Sequence, residues 1–507
     1  MSSKIFSMEL AGLEGRLVEI EVDTRMSIPS FSIVGLPDAA VMEARERVMS
    51  AVKNAGYPLP RGRIVVNLAP ADMKKVGPRY DLPIALGLIA FSKLIPDARF
   101  GETVFLGELA LEGQIRPVTG VLVSAEHARR MGFKRVVVPK ENASEAAMIK
   151  GIEVIPVGHL KEAIAYLNRL LSVLPIRPQV VQPADRAVMD MSMIKGQAQC
   201  KRALEIAAAG GHNILMCGAP GTGKTLMARA LQGILPDMTQ EEMLEVTRIY
   251  SVAGQLPAKQ ALMPSRPFRV IHHTASAVSI VGGGTTPTPG EITLAHQGVL
   301  FLDEVAEFPQ AVLDVLRQPI EDGTITISRA SGRVTYPSRF ALVAAMNPCP
   351  CGYHNVAKFK KKCKCLSSQI RRYHHRLSGP FLDRIDIHLQ VEPVEHLALQ
   401  RNTTSIETSA EVRKRVNRAY ERQVNRFKKH GIRRNAEMNT AQIEQFCELD
   451  AECKRMMQLA TESLGYSARA YYRAIKMART IADLDACDRI HSRHVSESLQ
   501  YLHKKTP

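Results

Sequence analysis

The 507-residue chain has no uncharged apolar run near the roughly 18 residues that a membrane-spanning helix requires. The longest candidates, such as residues 84–91, reach about half that length. Nor is there a continuous greasy core behind Met1-Ser-Ser-Lys-Ile-Phe-Ser-Met-Glu9, so no secretion signal is read there and a cytoplasmic location is expected. Repeats of solenoid length and low-complexity tracts are absent. Acid is in short supply: Asp plus Glu number 50 against 67 Lys plus Arg, a formal +17 with a pI near 9.5. That balance makes a polyanion, and not a membrane, the first partner to consider. Apolar residues at 45% and charged ones at 23% exclude wholesale disorder. Nine cysteines in a reducing compartment are expected as thiols or metal ligands, not disulfides.

What is present divides into an α/β chain of three domains, because the length exceeds what one core usually holds. Residues 1–171 alternate short strands (Arg63-Ile-Val-Val-Asn67, Thr103-Val-Phe-Leu106, Arg135-Val-Val-Val-Pro139) with helices near 40–55 and 123–131. A linker over 172–189 contains Leu174-Pro-Ile-Arg-Pro-Gln-Val-Val-Gln-Pro-Ala-Asp185, whose prolines oppose helix. Residues 190–394 return to strand–helix alternation, the mark of a parallel sheet wrapped by helices. Residues 395–507 read as helical and basic, with breaks at Gly431 and Gly465.

The most specific chemistry follows the apolar strand Asn213-Ile-Leu-Met-Cys217. Gly218, Ala219, Pro220, Gly221, Thr222, Gly223, Lys224 and Thr225 complete the G-x-x-x-x-G-K-[ST] pattern, and a helical run follows. Such a loop turns its amide N–H groups around phosphate oxygens, helped by the positive end of the helix. ATP and Mg²⁺ are the expected ligands: Lys224 reaches the β and γ phosphates, and Thr225 offers its hydroxyl to the metal. Gly298-Val-Leu-Phe-Leu-Asp-Glu304 is an apolar strand ending in paired acids. Asp303 would hold Mg²⁺ through water and Glu304 would activate the attacking water. A further strand, Phe340-Ala-Leu-Val-Ala-Ala345, leads to Asn347, placed to sense the γ-phosphate.

Other segments point to metal and nucleic acid. Cys349-Pro-Cys351 and Cys363-Lys-Cys365 supply four thiolates to a structural Zn²⁺ within an insert at 347–366, with His354 able to replace one. Around them lie Lys358, Lys360, Lys361, Lys362, Lys364, Arg371, Arg372 and Arg376 with no acid between. Tyr353, Phe359 and Tyr373 are candidates to stack on bases there. Gly323-Thr-Ile-Thr-Ile-Ser-Arg-Ala-Ser-Gly-Arg-Val-Thr-Tyr336 reads as a hairpin with Arg329 and Arg333 near its tip. Ser279-Ile-Val-Gly-Gly-Gly284 is a second flexible loop. Arg415, Arg418, Arg422, Arg426 and Lys429 recur along one helix face, either solvated or on phosphates.

At this point a resemblance is evident. Lys201-Arg-Ala-Leu-Glu-Ile-Ala-Ala-Ala-Gly-Gly-His212, the phosphate loop, His272-His-Thr274, Pro289-Gly-Glu-Ile-Thr-Leu-Ala-His296, Asn347-Pro-Cys-Pro-Cys-Gly352, Gly379-Pro-Phe-Leu-Asp-Arg-Ile-Asp386 and Ala478-Arg-Thr-Ile-Ala-Asp-Leu484 resemble the ComM (YifB) family of Mg-chelatase-like AAA+ ATPases, associated with natural transformation. The resemblance implies an S5-domain-2-like (Lon-protease-like) α+β domain, an AAA+ P-loop core and a C-terminal helical lid. It also implies Asn347 as sensor 1, Arg384 as an arginine finger given to the neighbouring subunit of a homo-hexamer, and Arg469 as sensor 2, with Arg473 one turn away as the alternative. The hairpin resembles the pre-sensor hairpin of ring helicases. DNA (single-stranded, branched or duplex) is the implied substrate, branch migration the implied work, and a recombinase a further partner. The rival reading is a remodeller of protein complexes.

Two nearby activities are not expected. Lon-type catalysis needs a Ser activated by a Lys, but Arg79 and Leu122 align with those positions. Metal insertion into porphyrin usually involves a D-x-S-x-S metal site, and Asp190-Met-Ser-Met-Ile194 lacks the second serine.

Overall fold

The computed structural model describes residues 3–176, 189–257, 260–284, 287–329, 332–355, 362–394 and 407–502. The N-terminal part is a seven-stranded mixed sheet built from Ser3–Ala11 (β1), Glu14–Arg25 (β2), Ser30–Val34 (β3), Arg63–Ala69 (β4), Thr103–Phe105 (β5), Arg135–Pro139 (β6) and Glu153–Val157 (β7), in the order β3-β4-β2-β1-β5-β6-β7. Val18, Ile20 and Val22 of β2 are buried, while Glu19, Glu21 and Asp23 between them face outward, the period of two of a half-covered sheet. The covering helices are Ala39–Asn54 (α1), Asp81–Phe91 (α2) and Val121–Arg130 (α3). Every residue of α2 from Leu82 to Ala90 is buried, so the longest apolar run is a core helix. Its first residue, Asp81, is buried against Arg47, at 2.6 Å (Nε to Oδ2) and 3.0 Å (Nη2 to Oδ1). Burial lifts the Asp81 carboxyl to about 6 against the pull of Arg47.

The central part is a five-stranded, wholly parallel sheet of Ile214–Gly218 (β8), Phe268–Ile271 (β9), Val299–Leu302 (β10), Ala341–Met346 (β13) and Ile387–Val391 (β14), ordered β9-β10-β13-β8-β14. The hairpin Thr324–Arg329 (β11) and Gly332–Pro337 (β12) stands apart from that sheet. All residues of β10 and β13 are buried, as expected of strands covered on both faces. Helices Ala198–Gly210 (α4), Lys224–Ile234 (α5) and Gln240–Val252 (α6) belong to this part. The lid contains Ser409–Arg426 (α7), Ala451–Leu464 (α8), Ala468–Leu484 (α9) and Ser492–Gln500 (α10). Val412, Val416, Ala474, Ile475 and Ile481 of the lid share one apolar core with α4, α5 and β8. Gly431 (φ +69°) and Gly465 (φ +61°, closing α8) are breaks, as the sequence suggests.

The basic face of α7 differs from both expectations. Arg415 meets Glu205 at 2.6 Å, Arg422 pairs with Asp488, and Arg426 meets Asp483 at 2.8 Å (Nη1 to Oδ2). Only Arg418 and Lys429 of that set lie exposed. The repeating arginines are therefore taken up by acids, Arg415 joining the lid to α4 of the core and Arg422 and Arg426 holding the lid's own helices together, and are not a phosphate track.

The N-terminal sheet docks directly on the ATPase core. Arg248 reaches Glu126 at 2.7 Å, the Ser251 hydroxyl donates to Glu145 at 2.6 Å, and Gly120 N–H donates to the Ser251 carbonyl at 2.9 Å. The β1–β2 turn bears on the hairpin: a Cβ at Gly12, already at φ +67°, would stand 2.3 Å from Val334 Cγ1, and Leu13 packs against the buried clusters around Ile327 and Tyr250. Linker residues 177–188 lie outside the described segments.

Between core and lid, Glu242 is fully buried beside the fully buried Arg266 at 3.0 Å, with the Tyr420 hydroxyl donating at 2.9 Å and the Arg433 guanidinium an ion-pair neighbour at 3.3 Å. Burial alone would raise this carboxyl, but Arg266, the Thr239 N–H, Arg434 and Arg433 bring it down to about 2. Its folded value is depressed, so its contribution is complete above about 4.5 and is lost as pH falls toward 2. Glu242→Gln should destabilise the protein at neutral pH by about 3–5 kcal/mol, the cost of an uncompensated buried cation. Thermal unfolding checks this, and the difference from wild type should shrink in acid.

Candidate nucleotide site and cysteine cluster

Parallel register brings the carboxyl ends of three neighbouring strands together, with Cys217 opposite Met346 and Leu302 opposite Ala344. Strand β8 ends at Gly218 and α5 begins at Lys224, and Gly221 (φ +78°) and Gly223 (φ +90°) turn the loop between them. That loop, Asp303, Glu304 and Asn347 line one pocket. Lys224 Nζ donates to the Gly218 carbonyl at 2.7 Å, the Ala219 carbonyl at 3.0 Å and Asn347 Oδ1 at 3.1 Å. Burial lowers the Lys224 pKa, opposed by Cys217, Asp303 and Glu304. Thr225 Oγ1 donates to Asp303 Oδ2 at 3.2 Å, so a hydroxyl and a carboxylate oxygen converge as hard oxygen donors suited to Mg²⁺. Glu304 is exposed with φ +51°, its carboxylate 3.9 Å from His273 Nδ1. Sequence reading gave His273 no role; its position just past β9, beside the strand bearing the acids, was the available signal.

Arg384 and Arg469 lie elsewhere. Both line a cleft with Glu321 and Arg473 that shares no residue with the phosphate pocket. Arg384 pairs with Glu321 at 2.5 Å, and not with Asp383 or Asp386; its buried Nε has no hydrogen-bond partner among the described residues. Asp386 instead accepts from Asn213 N–H at 3.0 Å. Arg469 is largely exposed and touches Glu321 only at 3.8 Å. Arg473 is tied to the Leu382 and Ile385 carbonyls, leaving Arg469 the freer of the two sensor 2 candidates.

Sγ atoms of Cys349, Cys351, Cys363 and Cys365 all lie within 4.8 Å of one another. Separations of 3.3 Å (Cys349 to Cys351), 3.5 Å (Cys351 to Cys363) and 3.7 Å (Cys349 to Cys363) compare with the ~3.8 Å edge of a tetrahedron with Zn–S bonds of ~2.3 Å. The four thiols fit Zn²⁺. Burial opposes ionisation of Cys351, but the Lys364 and Tyr353 N–H groups bring it down to about 6; beside it, the Cys365 N–H favours the Cys363 thiolate, but desolvation together with Cys351 and Cys349 pushes that thiol up to about 12. Crowded sulfurs that cannot all ionise alone are what a dication relieves. His354 is not part of the group. Lys362, Arg371 and Arg372 are exposed, whereas Lys358, Phe359, Lys360 and Lys361 lie outside the described residues. Tyr373 packs in the core beneath β13 and is unavailable to stack on a base.

The hairpin forms as read, with Ser328 opposite Arg333 and Arg329 opposite Gly332. Ile325, Ile327 and Tyr336 are buried while Arg329 and Arg333 are exposed. The Gly-rich segment adjoins it: a Cβ at Gly283 would stand 3.0 Å from Arg329 Nη2. In the N-terminal domain Leu122 is fully buried, and Arg79 is buried against Thr119 Oγ1 at 3.3 Å. Asp190 caps local backbone, accepting from Ser192 N–H at 2.8 Å and Ser409 N–H at 3.1 Å.

A five-stranded parallel core that gathers a phosphate loop, paired acids and a polar sensor at one edge, with a helical lid, is an AAA+ ATPase. Family models make it ChlI-like: magnesium chelatase, subunit ChlI, over residues 190–399; subunit ChlI of Mg-chelatase over 20–142; and the subunit ChlI C-terminal model over 406–502. The chain is 43% identical over 491 residues to the uncharacterized protein YifB of Escherichia coli, covering 97% of this chain and 95% of that one. It is 42% identical over 502 residues to the competence protein ComM of Haemophilus influenzae, covering 98% and 96%. Likeness to the chloroplastic magnesium-chelatase subunit ChlI of Chlamydomonas reinhardtii is 28% over 188 residues, or 32% of this chain and 45% of the other. Within the ChlI-like ATPases, the chain belongs to the YifB/ComM family. No helix among the described residues is long and apolar enough to cross a membrane.

Metal analysis of the purified protein should find about one zinc per chain, and none after Cys349→Ser with Cys363→Ser.

Proposed function

We propose that the protein is a ring-forming, ATP-driven DNA motor, a hexamer that moves branch points while incoming DNA is recombined. The observation that carries it is the separation of Arg384 and Arg469 from the chain's own phosphate pocket: the two arginines are half of a site that a neighbouring copy completes. In this reading each chain offers Lys224, Thr225, Asp303, Glu304 and Asn347 to a nucleotide, and the next chain supplies Arg384, an arginine finger, and Arg469. The backbone amides of Gly218–Thr225 hold the phosphates, Lys224 leaves its carbonyl partners for them, and Glu304 takes the proton of the attacking water. Mg²⁺, when bound by Thr225 and Asp303, offsets phosphate charge.

DNA as the thread is supported by the exposed Arg329 and Arg333 beside the Gly-rich loop, by the +17 charge, and by a relative named for competence. The non-catalytic character of the N-terminal domain is supported by the buried Arg79 and Leu122.

Lys224→Ala should weaken ATP binding by at least about tenfold, the worth of one charge-assisted hydrogen bond. Glu304→Gln should bind ATP and assemble but turn over about 10²–10⁴ times more slowly; normal turnover would remove Glu304 as the base. Labelled branched and linear DNAs with ATP test the motor, scored for strand displacement and stimulated hydrolysis. Wild type should displace strands, with affinity falling steeply in salt. Arg329→Ala with Arg333→Ala should reduce the salt slope by about one to two and abolish displacement. Hydrolysis indifferent to every DNA offered would favour a remodeller of protein complexes.

A further inference from the structure

The cysteine cluster and the phosphate loop are neighbours. Strand β13 delivers Asn347, whose side chain accepts from Lys224, and Cys349 follows two residues later. The turn that carries the first two cysteines closes with Gly352 N–H donating to the Cys349 carbonyl at 2.9 Å. Gly352 is buried, at φ +85°, and its Cα faces the ring of Pro220: a Cβ there would stand 2.5 Å from Pro220 Cδ and 2.7 Å from Cγ. Pro220, in the middle of the phosphate loop, and the Gly221 after it are exposed. The Gly352 turn is thus a wall on which that part of the loop leans.

We propose that the metal-bound cysteine cluster is a brace for the nucleotide site, with Gly352 as the positioning residue that transmits it to Pro220. The inference rests on reading the cysteines as a zinc centre and the loop as an ATP site. The physical ground is local. A phosphate loop binds through backbone N–H groups, so its affinity depends on holding one loop conformation before ligand arrives. Zinc would tie Cys349 and Cys351 to Cys363 and Cys365 and so fix the turn that carries Gly352. Once fixed, the turn presents Gly352 at van der Waals distance from Pro220, a spacing that tolerates no side chain. Metal and nucleotide are then linked, and linkage is reciprocal: each tightens the other by the same factor.

The test reads binding, not turnover, and uses no DNA, so it is independent of what the motor acts on. Nucleotide affinity is measured with a fluorescent ATP analogue and zinc content by metal analysis, on the full chain. Gly352→Ala should keep its zinc and weaken nucleotide binding about tenfold or more, while Pro220→Ala, which clears the space, should restore most of that loss in the double variant. Wild-type affinity in Gly352→Ala with zinc retained, or no recovery in the double variant, overturns the proposal. Because Gly352→Ala also strains the backbone, a second arm uses wild-type protein. Stripping zinc with a chelator should weaken nucleotide binding and restoring zinc should recover it, and bound nucleotide should raise zinc affinity by the matching factor. A stripped protein that binds nucleotide unchanged, or a native protein that holds no metal, also overturns it.

Discussion

A hydrogen bond 3.1 Å long, from Lys224 to Asn347, joins the helix that follows the phosphate loop to the end of β13, the strand beside β8. It exists because a parallel sheet delivers the carboxyl ends of its strands to one edge. The same geometry sets Asp303 beside Thr225 and leaves Glu304 facing outward. Asp303, Glu304 and Asn347 each stand at most two residues beyond a fully buried strand, and Lys224 and Thr225 open the helix that follows the phosphate loop. The cost of such burial is met by apolar side chains on both faces, and so β10 and β13 contain no polar residue at all.

The lid is joined to that sheet by charge as well as by apolar contact. Asp483 on α9 accepts from Arg426, Arg479 and Asn435, while Thr480, one turn earlier, meets His212, which in turn lies beside Asp386. Asp386 and Arg384 are two residues apart. A shift of the lid therefore bears on the segment carrying the arginine that a neighbour would receive, through paired and mostly buried groups whose separation is costly.

The phosphate loop, the paired acids, Asn347 and the four cysteines were legible in the sequence because each is a short string whose spacing states its chemistry. The hairpin was legible from alternating β-branched residues around a glycine turn. The arginines of α7 were not. Their periodicity is real, but a helix face looks the same whether it meets solvent, phosphate, or the acids Glu205, Asp488 and Asp483 from distant parts of the chain. Tyr373 misled for a related reason: an aromatic within a basic run can as well be the one residue that anchors the run to the core. His273 and Gly352 stand in strings that carry the family resemblance, but neither string states their part, which lies in what stands opposite them after folding.

Gly12 and Leu13, at the turn of the first two strands, reach across to Val334 and the buried cluster beneath it. On a ribosome this turn emerges early, and its seat is among the later segments made. Between the making of β7 and that of the hairpin, the N-terminal sheet carries a leucine whose seat is still incomplete. The contact of this turn with the hairpin can close only when translation has passed the hairpin, whereas the partners of Glu126 and Glu145 on α6 are made earlier, so the seam between the domains is completed in stages.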